Sequence, residues 1–331
     1  MTKPTFDVLT IGNAIVDVFS RVDEDFLVRH NVTKGMMRLV TEKESAELFE
    51  DMGPSTQISG GSGANTAVGV AAFGGKVAFI GKVKADELGR VFTHDTRSAG
   101  VHFDTVHATA GPGTASSLIL ITPDGERTMN TFLGACVHLS PGDIDEAVVA
   151  AAKVTYLEGY LWDPPLAKQA FKKAAQIARD AGRLVSITLS DSFCVDRHRD
   201  SFLELIRNDI DIVFANEKEI TSLYQVAHFD EALQRVRQDC AIAALTRSEA
   251  GCVIVKGDEV HVVEAHPVEK VVDATGAGDL FASGFLYGFT RDLSLVQCAR
   301  LGALAAAEVI SHVGARPEIA LDAHAKANGL L

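Results

Sequence analysis

The chemistry legible in this chain concentrates where Gly276-Ala277-Gly278 runs into Asp279. Two glycines let backbone N–H groups approach an anion without a Cβ in the way. The apolar residues that follow, Leu280 to Leu286, have helical spacing, so a helix N-terminus adds its positive end at the same point. Asp279 is then a carboxylate set beside an anion pocket. A hydroxyl that gives its proton to Asp279 would face a bound phosphate, which suits phosphoryl transfer from a nucleotide to an alcohol. The same residues also read as a glycine turn capped by an acidic side chain.

Other stretches could serve such a reaction. Gly60-Gly61-Ser62-Gly63-Ala64-Asn65 is a second glycine-rich turn. It reads either as a helix N-cap packed closely on a sheet or as a polyol surface, with bare backbone against a sugar face and Asn65 bonding a hydroxyl. Asn13 and Asp17 follow the first predicted strand, and a carboxylate beside an amide can grip vicinal hydroxyls. The competing reading is a turn Asn and a solvated Asp. Arg127 is a candidate phosphate clamp. Tyr160, Leu161 and Trp162 offer either an apolar wall for a purine or plain core packing, and Met36 and Met37 admit the same two readings.

Two nucleotide motifs are absent. Gly75-Lys76 has Val70 where a P-loop needs its first glycine and Val77 where it needs Ser or Thr. Gly61-x-Gly63 and Gly276-x-Gly278 are followed by Thr66 and Phe281, not by the third glycine of a dinucleotide fingerprint.

The elements that must position these groups come in an alternating pattern. Strands are expected over 6–11, 76–81, 101–106, 116–122, 127–132, 154–157, 184–188, 212–215, 241–246 and 251–255, and a β-type run ends at Val272. Helices are expected over 42–52, 64–73, 87–99, after Ser140-Pro141, and over 166–181, 218–224, 229–239, 278–289 and 295–313. Alternation of this kind predicts an α/β fold, a doubly wound and mainly parallel sheet covered on both faces. Extra short β segments in the N-terminal third predict a small appended sheet.

Composition sets bounds. The 331 residues are 47% hydrophobic and 23% charged, as in ordinary globular proteins. The net charge of −13 disfavours a nucleic-acid partner. Five scattered cysteines, odd in number and without metal-ligand spacing, suit buried reduced thiols, and the eleven histidines form no metal-like cluster. The first residues lack a signal-peptide core and no apolar run has membrane-spanning length, so a cytoplasmic location without membrane attachment is expected.

The stretch Asp273-Ala274-Thr275-Gly276-Ala277-Gly278-Asp279 resembles the C-terminal signature of the PfkB/ribokinase family of carbohydrate and nucleoside kinases, with Ala274 in place of that pattern's first Thr. Gly60 to Asn65, with Phe73-Gly74-Gly75-Lys76-Val77 and on to Gly89, resembles its N-terminal signature. The resemblance spans essentially the whole chain. It implies a single ribokinase-like domain over 1–331, with lid segments from about 13–40, 55–61 and 114–133 closing over the acceptor. It casts Asp279 as catalytic base and Gly276, Ala277 and Gly278 as the anion hole, with Gly61, Gly63 and Asn65 in the acceptor site. The spacing Gly12-Asn13-x-x-x-Asp17 looks like the adenosine kinase branch, in which Asn13 and Asp17 would hold ribose hydroxyls and Ile15 would pack on the base. Asn216-x-x-Glu219 looks like the motif that positions magnesium-bearing phosphates, Glu219 acting through water, although a helix cap explains Asn216 equally well. Thr246-Arg247-Ser248-Glu249-Ala250-Gly251 resembles the family's nucleotide loop, with Ser248 replacing a glycine. The resemblance thus implies an ATP- and Mg²⁺-dependent kinase, a monomer or homodimer, acting on the 5′-hydroxyl of adenosine, with a potassium ion allowed near Asp273. A sugar kinase of the same family and a non-catalytic nucleoside-binding protein remain as alternatives.

Overall fold

The computed structural model describes residues 4–331. Strands β1 (Phe6–Ile11), β5 (Val77–Ile80), β8 (Ala152–Glu158), β9 (Leu184–Thr188), β10 (Ile212–Asn216), β11 (Ile242–Thr246), β12 (Cys252–Lys256) and β13 (Glu259–Val263) form one sheet in the order β13-β12-β11-β10-β9-β8-β1-β5. From β5 to β11 every pairing is parallel, while β12 and β13 turn back as an antiparallel edge. Parallel strands buried on both faces carry near-continuous apolar residues, as Val8, Leu9 and Ile11 do. Their side chains alternate between two cores: Leu9 and Ile11 pack with the helices Pro165–Asp180, Ser192–Asp209, Glu217–Tyr224 and Phe229–Asp239. Val8 packs on the other face with the helices Ser62–Ala72, Glu87–Ser98, Ala277–Phe289 and Leu295–Val309.

A second sheet has the order β3-β7-β6-β2-β4, from β2 (Ile15–Arg21), β3 (Met37–Leu39), β4 (Ser55–Gly60), β6 (Ala115–Ile121) and β7 (Arg127–Phe132). It leaves the main sheet directly after β1, at Gly12-Asn13-Ala14. In β2 the period of two buries Val16 and Val18 and leaves Asp17 between them on the other face.

Several expectations are corrected. Residues 101–106 form no strand; His102 makes a single bridge to Ala78, because Gly100 turns the chain straight off the preceding helix and the segment then leaves the sheet edge. Val271 and Val272 are exposed and outside any strand, and Val272 N–H donates to Ile310 O at 2.8 Å. The helix expected after Ser140-Pro141 is a 3₁₀ turn (Pro141–Asp143) and then a short helix (Glu146–Ala150), and the helix from Leu295 stops at Val309. The helix Ser192–Asp209 escaped sequence reading because its apolar positions are split by six polar residues, Asp196 to Ser201, and His198 departs from helical geometry within it. The helices Glu24–Arg29 and Leu321–Ala327 and strand β13 were also missed; all three are short, with little apolar periodicity. All five cysteines are free and buried. Among the described residues no helix is long and apolar enough to cross a membrane.

The helix that begins at Ala277 is fixed by an unusually close contact. A Cβ on Gly284 would lie 2.4 Å from Leu301 O of the helix Leu295–Val309, so the two backbones touch there with no room for a methyl. Gly284→Ala is expected to lower stability by about 1–3 kcal/mol through overpacking. Denaturant unfolding checks this, and a midpoint equal to that of the parent would show that the helix pair can yield.

Candidate active site

Because β1, β8, β9, β10 and β11 run parallel, their carboxyl ends open on one edge, where α/β folds bind ligands. Asn13 follows β1, Glu158 ends β8, Asn216 ends β10 and Thr246 ends β11. The second glycine turn and the Asp279 turn converge on the same edge. Ser62 Oγ donates to Asp279 Oδ1 at 2.6 Å, and Asn65 Nδ2 donates to Asp279 Oδ2 at 3.1 Å. Residues more than two hundred positions apart thus meet around one carboxylate. Burial pushes the Asp279 carboxyl up to about 6, and these two donors pull the other way.

The turn before Asp279 has a backbone that requires glycine. Gly276 is left-handed, with φ +81°, and a Cβ there would sit 2.8 Å from Ala315 Cα. It caps the helix Ala277–Phe289, whose first-turn amides no intrahelical carbonyl reaches. One of the three expected anion-hole amides is partly engaged, since Ala277 N–H donates to Ala274 O at 3.3 Å. Gly61 precedes the helix Ser62–Ala72 as its N-cap, also at positive φ (+98°), its backbone lying against Asn13 O.

Glu158, which the sequence reading passed over, is central. Its Oε2 accepts from Gly63 N (2.7 Å) and Asn13 N (3.1 Å), and its Oε1 from Asn13 Nδ2 (2.6 Å). The side chain is 1% exposed, and burial pushes its carboxyl up to about 7. A glutamate ending an apolar strand just before Gly159 was the available signal. Asn13 is thereby held through its amide nitrogen, while its Oδ1 is buried without a partner. Asp17 lies against the Gly60 backbone, and burial raises its carboxyl to about 7 against the pull of Arg316 and Arg127. Ile15 starts β2 beside these groups and is partly exposed. Arg316, also missed, donates from Nη1 to Ser59 Oγ and from Nε to Asn65 Oδ1.

Three residues sit differently from expectation. Leu161 is fully buried in the main core with Trp162 and Phe171, because its short 3₁₀ turn packs on the helices Pro165–Asp180 and Ser192–Asp209, so it forms no wall of the cleft. Asn65 is already partly engaged, giving one amide hydrogen to Asp279 and accepting from Arg316 at Oδ1. Arg127 is not free: it pairs with Asp273, whose Oδ2 also accepts from Gly314 N and whose Oδ1 accepts from Thr275 N and Oγ1. Four donors thus meet that carboxylate. Met36 and Met37 are more than half exposed, outside any apolar pocket.

On the nucleotide side, Asn216 and Glu219 form a reciprocal helix cap. Glu219 is 5% exposed and its carboxyl is raised to about 7 by burial, with the charges of Asp191 and Asp279 adding to the shift. Among the described residues no three His, Cys, Asp or Glu side chains are placed to hold a metal directly. A cation that arrives on phosphates and keeps its water suits such an arrangement better than a protein cage, and the mutual repulsion of Asp191, Glu219 and Asp279 is what that cation would relieve. Thr246, Ser248 and Gly251 bound one loop after β11. Ser248 adopts φ +52°, which explains the glycine expected at this position, and Gly251 has φ +81°. Arg247 stacks 4.3 Å over Phe229 and pairs with Glu217 at 2.9 Å, bracing that loop.

Comparison with known proteins places this arrangement. A crystal structure of a probable sugar kinase from Rhizobium etli CFN 42 is 55% identical and superposes with a TM-score of 0.91 over 99% of this chain and 100% of that one. The adenosine kinase of Sinorhizobium meliloti is 52% identical, with a TM-score of 0.90 over 98% and 99% of the two chains. The adenosine kinase of Saccharomyces cerevisiae is 27% identical over 337 aligned positions, covering 95% of this chain and 96% of that one. Residues 36–320 match the family described as pfkB family carbohydrate kinase. The chain therefore belongs to the pfkB family, with a ribokinase-like α/β fold, and is a phosphotransferase with an alcohol acceptor from a family of ATP- and Mg²⁺-using sugar and nucleoside kinases.

Proposed function

We propose that the protein transfers the γ-phosphoryl group of ATP to the 5′-hydroxyl of adenosine, giving AMP and ADP. The observation that carries this reading is the convergence of Asp279, held by Ser62 and Asn65, with Asn13 and Asp17 at nucleoside-type spacing in one cleft. Adenosine kinases among its relatives support it. A sugar acceptor is the second reading, supported by the similarity to the probable sugar kinase of Rhizobium etli.

In the proposed mechanism, Asp17 and Asn13 take the ribose hydroxyls. Ser62 and Asn65 keep the Asp279 carboxylate ionised and aimed, and it accepts the 5′-hydroxyl proton as that oxygen attacks phosphorus. First-turn amides of the helix Ala277–Phe289 stabilise the charge that develops on the transferring group. Arg127 can reach a phosphate by releasing Asp273. Asn216 and Glu219 stand where a magnesium ion's waters would be met, and such an ion, when bound with ATP, neutralises phosphate charge.

An acceptor panel tests the substrate directly. ADP release with adenosine, ribose, fructose and a ketodeoxy sugar acid is expected to be fastest with adenosine. Preference for any sugar by kcat/KM transfers the assignment to the second reading.

Replacing the base tests the mechanism. Asp279→Asn keeps the size and the Ser62 bond but cannot accept a proton at neutral pH. The expected fall in kcat is about 10²–10⁴-fold or more, with both KM values little changed. Near-parental turnover would remove Asp279 from the reaction.

Acid should inactivate before it unfolds. The ionised forms of Asp279, Asp17 and Glu158 are lost as pH falls through about 6 to 7. The acid limb of kcat/KM is therefore expected in that range. These carboxyls hold protons in the folded state at pH values where the unfolded chain releases them. They therefore add stability as pH falls from about 7 towards 5 and subtract it above 7. Thermal melts from pH 8 to 5.5 should show the melting temperature holding or rising while activity falls. A parallel loss of both would assign the acid limb to unfolding.

A further inference from the structure

Arg316 belongs to none of the motifs singled out in the sequence, yet the fold brings its guanidinium into the acceptor cleft. Its neighbour Ala315 packs on Gly276 at the Asp279 turn, and Pro317 comes directly after it, so the residue between is tightly placed. Nη1 donates to Ser59 Oγ at 2.5 Å and Nε to Asn65 Oδ1 at 3.4 Å. The charges that act on it are those of Asp95 and Asp17. Nη2 is buried and has no hydrogen-bond partner, and neither has the buried Oδ1 of Asn13 in the same cleft.

A buried N–H of a charged group left unpaired is costly, and native proteins seldom keep one without a reason. The residues bearing this unpaired donor, this unpaired acceptor and the Asp17 carboxylate all meet the short segment Ser59-Gly60-Gly61, Arg316 at Ser59, Asp17 at Gly60 and Asn13 at Gly61. A ligand that satisfies all three must donate and accept at neighbouring atoms, which is what a vicinal diol does, since each hydroxyl has one proton and two lone pairs. An anionic acceptor suits the site less well. Asp17, Asp95, Glu158 and Asp279 outnumber the guanidinium groups of Arg316 and Arg127, so an added negative charge would be repelled.

We propose that Arg316 is an acceptor-binding residue that selects a neutral vicinal diol: Asp17 takes the hydroxyl protons while Arg316 Nη2 donates to a hydroxyl oxygen of the same pair. The proposal rests on the reading of the cleft as an acceptor site for a polyol or nucleoside. It adds to Asp17 a second, oppositely charged grip on the diol, and it assigns Arg316 a role beyond bracing Ser59 and Asn65.

The test uses the full chain and matched acceptors: adenosine, 2′-deoxyadenosine and 3′-deoxyadenosine, each with the parent, Arg316→Gln and Arg316→Lys. A hydrogen bond to a charged group corresponds to roughly 10- to 150-fold in affinity. The parent is expected to lose about that factor in kcat/KM when the hydroxyl facing Arg316 is removed. In Arg316→Gln the value for adenosine should fall by a similar factor, the penalty for the deoxy analogue should shrink towards one, and the KM for ATP should be unchanged. Equal losses on all three acceptors would overturn the proposal and leave Arg316 as a brace. Full hydroxyl discrimination in Arg316→Lys, which keeps the charge beside Asp17 and covers the case in which the Gln variant does not fold, would overturn it too. So would a parent indifferent to both deoxy analogues, a result that needs no variant. Inactivity of the parent on every nucleoside sinks the adenosine reading instead. The same comparison is then made with the sugar that it phosphorylates and the corresponding deoxysugar.

Discussion

Four carboxylates gathered at one sheet edge set the terms for the rest of this structure. Asp17, Glu158, Glu219 and Asp279 are all raised towards neutrality, in each case chiefly by burial. Burying an ionised carboxylate is costly unless donors meet it. The protein supplies those donors sparingly: Ser62 and Asn65 for Asp279, two backbone amides and Asn13 for Glu158, and a helix cap for Glu219. Asp17 has no hydrogen-bond donor of this kind, only the charges of Arg316 and Arg127. A cleft with more acid than base is ready for hydroxyl protons and for a cation carried by phosphate.

The two glycine turns make that gathering sterically possible. Gly276 lets the chain reverse against Ala315, and the helix it starts is pinned by Gly284 on Leu301. The helix Ser62–Ala72 packs on the same element and carries Ser62 and Asn65 to the carboxylate. Positioning of the proposed base thus depends on close helix packing well below the cleft as much as on the residues that touch it.

The second sheet contributes through two residues on different strands. Alternation in β2 leaves Asp17 off the buried face, and β7 begins with Arg127, whose ion pair to Asp273 joins this sheet to the body. Both partners of that pair are largely buried, so separating them carries a desolvation cost. Any movement of the second sheet relative to the body has to break or preserve this contact, which ties the position of Asp17 to that of the Asp279 turn.

What the amino-acid order determined alone was local: the alternation that specifies a parallel sheet, the glycine turns, the Asp279 stretch and the short-range spacings of Asn13 with Asp17 and Asn216 with Glu219. Such signals lie within a few residues of one another, and the backbone geometry they require is set by residue type. Hidden from sequence were features that need distant partners. Glu158 reads as the end of a strand until Asn13 and Gly63 close on it. Arg316 reads as a loop cation until Ala315 meets Gly276, and Arg127 reads as a free clamp until Asp273 takes it. Leu161 shows the converse, an apolar residue next to a site whose side chain the fold turns into the core. A side chain's partner depends on which strand ends lie side by side, and that adjacency arises from packing over the whole chain, so tertiary structure alone decided it.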